Sequence, residues 1–537
     1  MKNILQKLYA FSYKSIQILS LLLMLILFVG AFFFTCYATD MESQKVLTRV
    51  DNPIFSLLGI LIFLGLLVLI TRLVCKNPKK YKRILLFLVL GLCTALGIIF
   101  ILFGRTVPAA DSMSVYSMAQ SLASGDTSVI HATDSYLSYY PQQVGLMAFF
   151  EGIIRLLNLL SLSFPAYHFI KCANVVLVCV IILFQYKTVH LLWNSDTADC
   201  IYLLLAGLNI PLVFYSSFVY GEIPSFAAVS VGIYYLLKWL YAPEGCTKRR
   251  ALLYAGAGVA ALSLSVMLRK NSLILIIAVL IVILYRWLQT GKAALLFYGL
   301  LCALCCFCIL PLIQAGYESK AGSTLSSGVP AMSYFAMGMQ ESSRGNGWYN
   351  GFNFNTYQEN DMDTERTVQK SKEAIAERLA YFKGNPGYAA DFYLHKHLSQ
   401  WADGTYACRQ ATLATFGGRH PFFDSLYGGK YSSYVISYCN IYQNVLYLGA
   451  LLFCCLGLFS KPQTKKTDAC AFGLTTYLGF IGVIGGFLFH IIWEANSRYI
   501  FPYGLLLLPY AAMGIAKLFL IIASSFKDSP KVIKSAP

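Results

Sequence analysis

Charge is scarce in this sequence. Only 12% of its 537 residues are Asp, Glu, Lys or Arg, while 57% are hydrophobic. A soluble chain carries about 25% charged residues, so a soluble globular fold is excluded. Acid is scarcer than base: 25 Asp and Glu stand against 42 Lys and Arg, a formal net charge of +17. In a soluble protein that excess would suggest nucleic acid as a partner. Here most of the basic residues sit in short loops beside apolar runs, which is the positive-inside pattern of membrane proteins, so no nucleic-acid partner is expected. Internal repeats and low-complexity segments are absent. Histidine is rare, 7 in all, and His395 and His397 flank Lys396 at a spacing that faces them to different sides of a helix. No metal cage of the carboxylate or His/Cys type emerges. The 16 cysteines lie mostly inside apolar runs, as in Cys302 to Cys308, and form no paired framework outside them; they read as small core residues. No small-residue cleavage site follows the first apolar run, which is therefore expected to stay as a helix.

What is present is a series of apolar runs of roughly 20 residues, long enough to cross a hydrocarbon core of about 30 Å. They show no dyad alternation, so they read as helices that satisfy their own backbone. Ser15 to Tyr37 is the first span, behind Lys2, Lys7 and Lys14. Pro53 to Cys75 is the second, and Ile84 to Phe103 the third. Between these two lies the basic stretch Lys76 to Arg83, which marks the cytoplasmic side. The basic tail, with Lys527, Lys531 and Lys534, and the loop carrying Lys461, Lys465 and Lys466 mark the same side from the other end. The C-terminus is accordingly expected in the cytoplasm. The segments after Gly104, around Tyr220 to Phe226, at Leu268 to Asn271 and at Trp493 to Tyr499 are expected outside. About a dozen spans result. Gln143 to Leu160 and Ala166 to Tyr186 cannot both cross if the alternation is to close. The first, which holds Glu151 and Arg155, is the weaker candidate.

The fold expected is all-α and polytopic, with an outer-face helical domain. Residues 1–83 form two extra N-terminal membrane helices. A membrane core follows over 84–313, with its first outer loop at 104–142. The extracytoplasmic, mostly helical domain is 314–434, and the last membrane helices and basic tail are 435–537. The polar stretch of 314–434, about 120 residues long, far exceeds ordinary loops of about 4–6. Within it, Asp363 or Thr364 caps an amphipathic helix that places Val368, Ile375, Leu379 and Phe382 on one face, with Gly384, Asn385 and Pro386 ending it.

Five polar groups gather at the outer ends of these spans. Asp111 opens a short helix just past the third span, close to Arg105; it is either an N-cap or a base where an acceptor meets a lipid-borne donor. Tyr136, Tyr139 and Tyr140 precede Pro141 as an aromatic platform or an interfacial belt. Glu222 is an acid at the end of an apolar helix, either a hydrated helix-end residue or a functional carboxylate. Arg269, Lys270 and Asn271 lie on the side that the charge bias leaves poor in base, and two cations there call for an anionic partner. Arg offers a bidentate fork for phosphate. Glu494 and Arg498 are four apart and could share a helix face as an ion pair; Tyr499 follows them.

Together these segments resemble the GT-C superfamily of membrane glycosyltransferases, in particular bacterial relatives of protein O-mannosyltransferases and of the aminoarabinose–lipid A transferase. Pro108 to Asp126 resembles the family's first outer loop, and Tyr140-Pro141, Arg269 and Arg498-Tyr499 match its later motifs in order. The resemblance covers most of the chain after Ile84. It implies a GT-C-like fold and gives Asp111 the catalytic role. Asp111 is followed by Ser where the protein mannosyltransferases have a second acid, so a divalent metal is compatible but not required and no cofactor is assigned.

The expected activity is transfer of a sugar from a polyprenyl-phosphate carrier to an acceptor at the extracytoplasmic face of the cell membrane. Arg269, Lys270 and Arg498 would bind the donor phosphate. Arg105, Tyr140, Glu222, Asn271, Glu494 and Tyr499 would orient the substrates. An envelope polymer, a glycolipid and a protein are all open as acceptors, with membrane lipids as surroundings. The alternative is a transporter or flippase of a lipid-linked saccharide, against which stand the large outer domain and the lack of paired broken helices.

Overall fold

A computed structural model describes residues 2–38, 43–131, 135–162, 164–242, 245–459 and 473–527. The basic loop at Lys461 to Lys466, the tail lysines Lys531 and Lys534, and Asp134 lie outside the described residues. The long apolar runs form helices: α1 (Lys2–Phe33), α2 (Pro53–Cys75), α3 (Pro78–Gly104), then α4 (Asp111–Ala123) and α5 (Val144–Leu159). There follow α6 (Ala166–Trp193), α7 (Asp196–Gly207), α8 (Ile210–Ser216), α9 (Glu222–Leu240), α10 (Lys248–Leu268), α11 (Leu273–Thr290) and α12 (Ala293–Ala321). The polar domain contributes α13 (Thr364–Gly384) and α14 (Pro386–Trp401), and the chain closes with α15 (Ser432–Phe459), α16 (Leu478–Ile492) and α17 (Phe501–Lys527). The protein is thus a helical polytopic membrane protein. Among the described residues, 11 helices are long and apolar enough to cross a membrane, and 12 spans result if α7 and α8, bent by 53°, count as one.

Local sequence explains where these helices begin. Asn52 caps α2 by accepting from the Ile54 amide at 2.9 Å, with Pro53 in the first turn, where its missing N–H costs nothing. Pro78 plays the same part in α3, which therefore starts inside the basic stretch and carries Lys79, Lys80, Lys82 and Arg83 on its first turns. Asp363 caps α13 by accepting from the Arg366 amide at 3.0 Å. The outer helices present apolar side chains outward, such as Phe55 and Leu61 on α2 and Phe87 and Leu88 on α3. Only hydrocarbon makes such a surface favourable. At the centre, α9 packs on α6 and α10, and α17 packs on α15 and α7.

Two expectations change. The first span ends at Phe33, not Tyr37, because Phe34–Ala38 (β1) turns into a strand paired antiparallel with Val46–Val50 (β2), with Phe34 opposite Val50. Aromatic and β-branched residues in both segments suit that pairing. The other change resolves the crossing problem. Helix α5, at 16 residues, is too short to be among the helices that could span. Its Glu151 is ion-paired with Arg155 at 2.7 Å and also accepts from the Tyr317 hydroxyl, while Arg155 donates to the Leu122 carbonyl at 2.7 Å. With α5 lying along the bundle end and α7–α8 taken as one span, the crossings alternate without remainder.

That alternation puts the paired strands β1 and β2, residues 105–131, 135–162 and 164–165, the turns before α9 and after α10, the segment between α16 and α17 and the polar domain at one end. Backbone hydrogen bonds join them there: Cys36 N to Ala402 O (3.0 Å), Val46 N to Arg344 O (2.8 Å), Val107 N to Ala414 O (3.0 Å) and Val329 N to Tyr139 O (2.9 Å). Helix α12 runs through Pro311 to Ala321, so it extends past the apolar run into this end. Lys396 on α14 adds a side-chain tie. Its fully buried Nζ donates to Gly338 O at 2.5 Å and to Ile491 O at 2.9 Å. It thereby satisfies one of the orphan carbonyls at the C-terminus of α16.

Candidate functional site

The tightest polar group at the domain end is built on a close backbone approach. Gly221, just before α9, lies so near the last turn of α10 that a Cβ there would sit 2.5 Å from the Leu268 carbonyl oxygen. Glu222, the first residue of α9, and Arg269, the extended residue that ends α10, are therefore brought side by side. The Ser225 hydroxyl reinforces the junction, donating to Ser265 O at 2.9 Å and lying 2.8 Å from the Ser272 hydroxyl. Arg269 and Glu222 form an ion pair through Nη1 and Oε1.

A second guanidinium reaches the same oxygen. Arg498 Nε is 3.6 Å from Glu222 Oε1. Between Ile492 and Ser497 the chain is not helical; Asn496 then caps a 3₁₀ turn by accepting from the Arg498 amide at 2.9 Å. This break corrects the expectation of a Glu494–Arg498 pair on one helix face. Arg498 turns to Glu222 instead, and Glu494 accepts from the Tyr499 hydroxyl at 3.4 Å. Aromatic rings flank both cations: Tyr499 lies 5.8 Å from Arg269, and Phe218, Tyr220 and Tyr499 lie 5.8, 5.5 and 5.7 Å from Arg498. Two guanidiniums thus converge on the Glu222 carboxylate in a mostly buried place, with Asp111 also acting on Arg498. Glu222 Oε2 has no hydrogen-bond partner among the described residues.

Asp111 is exposed and begins α4, which corrects its reading as an N-cap: Ala110 holds that position, at a positive φ of 47°. A non-glycine residue at positive φ is uncommon and strained. Here it sets the direction of the helix that starts at Asp111. The Asp111 charge acts on the hydroxyls of Tyr136, Tyr140, Tyr220 and Tyr349 and on Glu494. Burial, with this charge added, pushes all four phenols above their usual range. Glu494 is pushed up to about 7 by burial, with Arg498 opposing the rise.

Asp111, Glu222, Arg269, Glu494, Arg498, Tyr499 and Tyr140 thus occupy one neighbourhood. Three other sequence candidates are placed differently. Arg105 is exposed and donates to the Gly417 carbonyl at 3.4 Å, facing the domain segment that pairs with residue 106. Lys270 is exposed and makes no ion pair among the described residues, and Asn271 lies half-buried in the 3₁₀ turn Lys270–Ser272. Phe218, Tyr220, Tyr349 and Gln143, which donates to the Tyr220 hydroxyl at 2.6 Å, belong to the group but escaped the sequence reading. For Tyr220 a signal existed, since it stands two residues before Glu222. For Tyr349 there was none, since its loop has no periodicity. Among the described residues, no group of three or more His, Cys, Asp or Glu is arranged to hold a metal ion.

The family described as "conserved hypothetical integral membrane protein" has a model that matches residues 8–517. No curated protein matches the sequence. Among solved structures, the chain is similar to the archaeal oligosaccharyltransferase AglB from Archaeoglobus fulgidus, in complex with an inhibitory peptide and a dolichol-phosphate. The identity is 13% and the TM-score 0.43, and the match covers 84% of this chain and 52% of the other, so this chain spans about half the length of that one.

Proposed function

The chain belongs to the conserved hypothetical integral membrane protein family, and we propose that it is a glycosyltransferase working at the extracytoplasmic membrane surface with a polyprenyl-phosphate-linked sugar as donor. The observation that carries this reading is the meeting of Arg269 and Arg498 on Glu222. Two guanidiniums converge here in a partly desolvated site, where their attraction for a phosphate exceeds that at an exposed surface. The ordered resemblance of the outer segments to the GT-C superfamily supports the same reading. So does the charge bias: Lys79, Lys80, Arg83, Lys248, Arg249, Arg250 and Lys292 all lie at the end opposite the site, which makes that end cytoplasmic.

The transfer then runs as a direct displacement. The acceptor hydroxyl oxygen forms a bond to the anomeric carbon as the bond from that carbon to the phosphate oxygen breaks. The phosphate leaves with the electron pair, and its charge is met by Arg269 and Arg498. Asp111 takes the acceptor's proton. Configuration at the anomeric carbon is inverted.

Purified protein in lipid nanodiscs, given a polyprenyl-phosphate sugar and an envelope extract as acceptor, tests this. Asp111→Asn should lose about 10²–10⁴ in rate while inserting normally. Arg269→Ala should weaken donor binding, and Arg269→Lys should restore only part because the fork is lost. Near-normal turnover by Asp111→Asn would remove the base assignment, and unchanged donor affinity in Arg269→Ala would remove the phosphate site.

A further inference from the structure

We propose that residues 413–434, the last part of the polar domain, form a foot that rests in the headgroup layer of the lipid bilayer beside the end of α3. This contact does not depend on which reaction the site performs. Two membrane helices bracket the segment: α3 ends at Gly104, and α15 begins at Ser432. Backbone contacts hold it against the exit of α3. His420 N donates to Phe103 O at 3.1 Å, Phe416 N to Arg105 O at 3.2 Å and Val107 N to Ala414 O at 3.0 Å, and Thr106 bridges to Thr415. Its depth is thereby fixed at the edge of the hydrocarbon. The chain that it holds, residues 105–107, runs on to Asp111, so the same contact sets the height of that carboxylate above the bilayer.

The surface shown there is aromatic and continuous. The Phe103 ring stacks on Phe423 at 5.9 Å, Phe423 meets Phe422 at 5.5 Å, Phe422 meets Tyr431 at 5.7 Å, and Tyr431 lies 6.4 Å from Tyr434. Phe423 is buried and anchors the row, while Phe422 is 52% exposed and Tyr434 69%. Phe416, beside the positive-φ turn at Gly417 and Gly418, is 78% exposed. Single exposed apolar residues are ordinary, but a contiguous row marks a contact surface. Here the row continues the outward stripe of α3, where Leu102 and Phe103 are exposed. Rings with a polar tip, such as those of Tyr431 and Tyr434, suit the boundary between hydrocarbon and water.

Charge points to the same partner. Arg105 and Lys430 are exposed, with Lys430 Nζ 5.4 Å over the Tyr431 ring. Asp424 is the only acid in 413–434. It faces Arg419 at 3.8 Å, and Arg419 in turn donates to the Thr412 carbonyl at 2.7 Å. Exposed rings flanked by cations are the pattern of a segment that lies in a lipid interface. A second copy of this chain fits less well, because a two-fold contact would set the same cations against each other.

Photo-crosslinking of the full-length protein in vesicles of phosphatidylcholine and phosphatidylglycerol tests the foot. p-Benzoylphenylalanine replaces Phe416, Phe422, Tyr434 or Glu373, one at a time, and mass spectrometry reads what each site captures. Tyr434, on the first turn of a membrane helix, is the positive control. Glu373, exposed on α13 and ion-paired with Lys370 at 3.0 Å, is the negative one. Phe416 and Phe422 should capture phospholipid with yields near that of Tyr434, and Glu373 should capture none. In the Phe422 adducts, phosphatidylglycerol should exceed its share of the bilayer by up to about fivefold, and Lys430→Gln should remove most of that excess. Yields at Phe416 and Phe422 as low as at Glu373, or capture of a second copy of the chain in place of lipid, would overturn the foot. The same lipid composition with and without Lys430→Gln would overturn the headgroup contact.

Discussion

At the scale of single residues, the site was legible wherever a charge stood in a place where charge is rare. Glu222, Arg269 and Arg498 stood out because each interrupts or borders an apolar run. Their mutual contact was not legible. Glu494 and Arg498 at a spacing of four suggest a helical pair, and nothing in the residue types between them announces the break that sends Arg498 to Glu222. Burial was equally hidden, and it decides the protonation of Glu494. The ordinary value of 4.5 is pushed to about 7. Between those values the folded chain holds a proton that the unfolded chain has released. This contribution to stability is therefore complete below pH 4.5 and falls away as the pH rises through 7, by up to about 3 kcal/mol. Lys396, lowered from 10.5 to about 7 by burial, has the opposite slope above neutrality, since the unfolded chain then binds the extra proton. Between pH 5 and 7 the melting temperature of Glu494→Gln should gain on that of the parent protein, because the variant lacks this loss. An unchanged slope in the variant would mean that Glu494 titrates in its ordinary range.

At the scale of elements, the long helices were legible almost to their ends because proline, asparagine and aspartate caps coincide with the start of apolar runs. What the sequence concealed were contacts that depend on small residues far apart. Gly221 reads as an ordinary turn glycine, yet its lack of a Cβ sets how closely the start of α9 rides on the end of α10. Gly221→Ala must push the Leu268 carbonyl away, and overpacking of this kind costs about 1–3 kcal/mol. The substitution should lower both the melting temperature and the affinity for polyprenyl phosphate, because it separates Glu222 from Arg269. Gly256→Ala on α10, where a Cβ meets nothing within 4 Å, should do neither. Equal effects from the two variants would show that the junction tolerates the extra methyl group. Helix α5 teaches a related point. It is as apolar as a span but only 16 residues long, and the Glu151 contacts with Arg155 and Tyr317 tie it to the bundle end.

At the scale of the whole molecule, the alternating spans make a definite statement about sides. Lys372 on α13 is exposed at the domain end, and Lys292, before α12, is exposed at the opposite end. In intact cells, a membrane-impermeant maleimide should label Lys372→Cys above the parent background and should reach Lys292→Cys only after permeabilisation. The reverse pattern would invert the molecule and place the candidate site in the cytoplasm. The expected sidedness rests on the basic loops that cluster at one end. The joining of β1 and β2, the 414–416 segment and the 348–349 loop at the domain end was not legible, since backbone pairing over such separations leaves no periodic trace.

The order of the chain gives the triad a history. A ribosome delivers α9 and α10 to the membrane together, so Glu222 and Arg269 arrive as neighbours on one helical hairpin. They can cancel each other's charge as they enter, which lowers the cost of placing either near hydrocarbon. Arg498 comes only with the last helix. Until then Glu222 and Arg269 make a neutral pair. The convergence of two guanidiniums on Glu222 is therefore a late event, which waits until synthesis has passed Arg498.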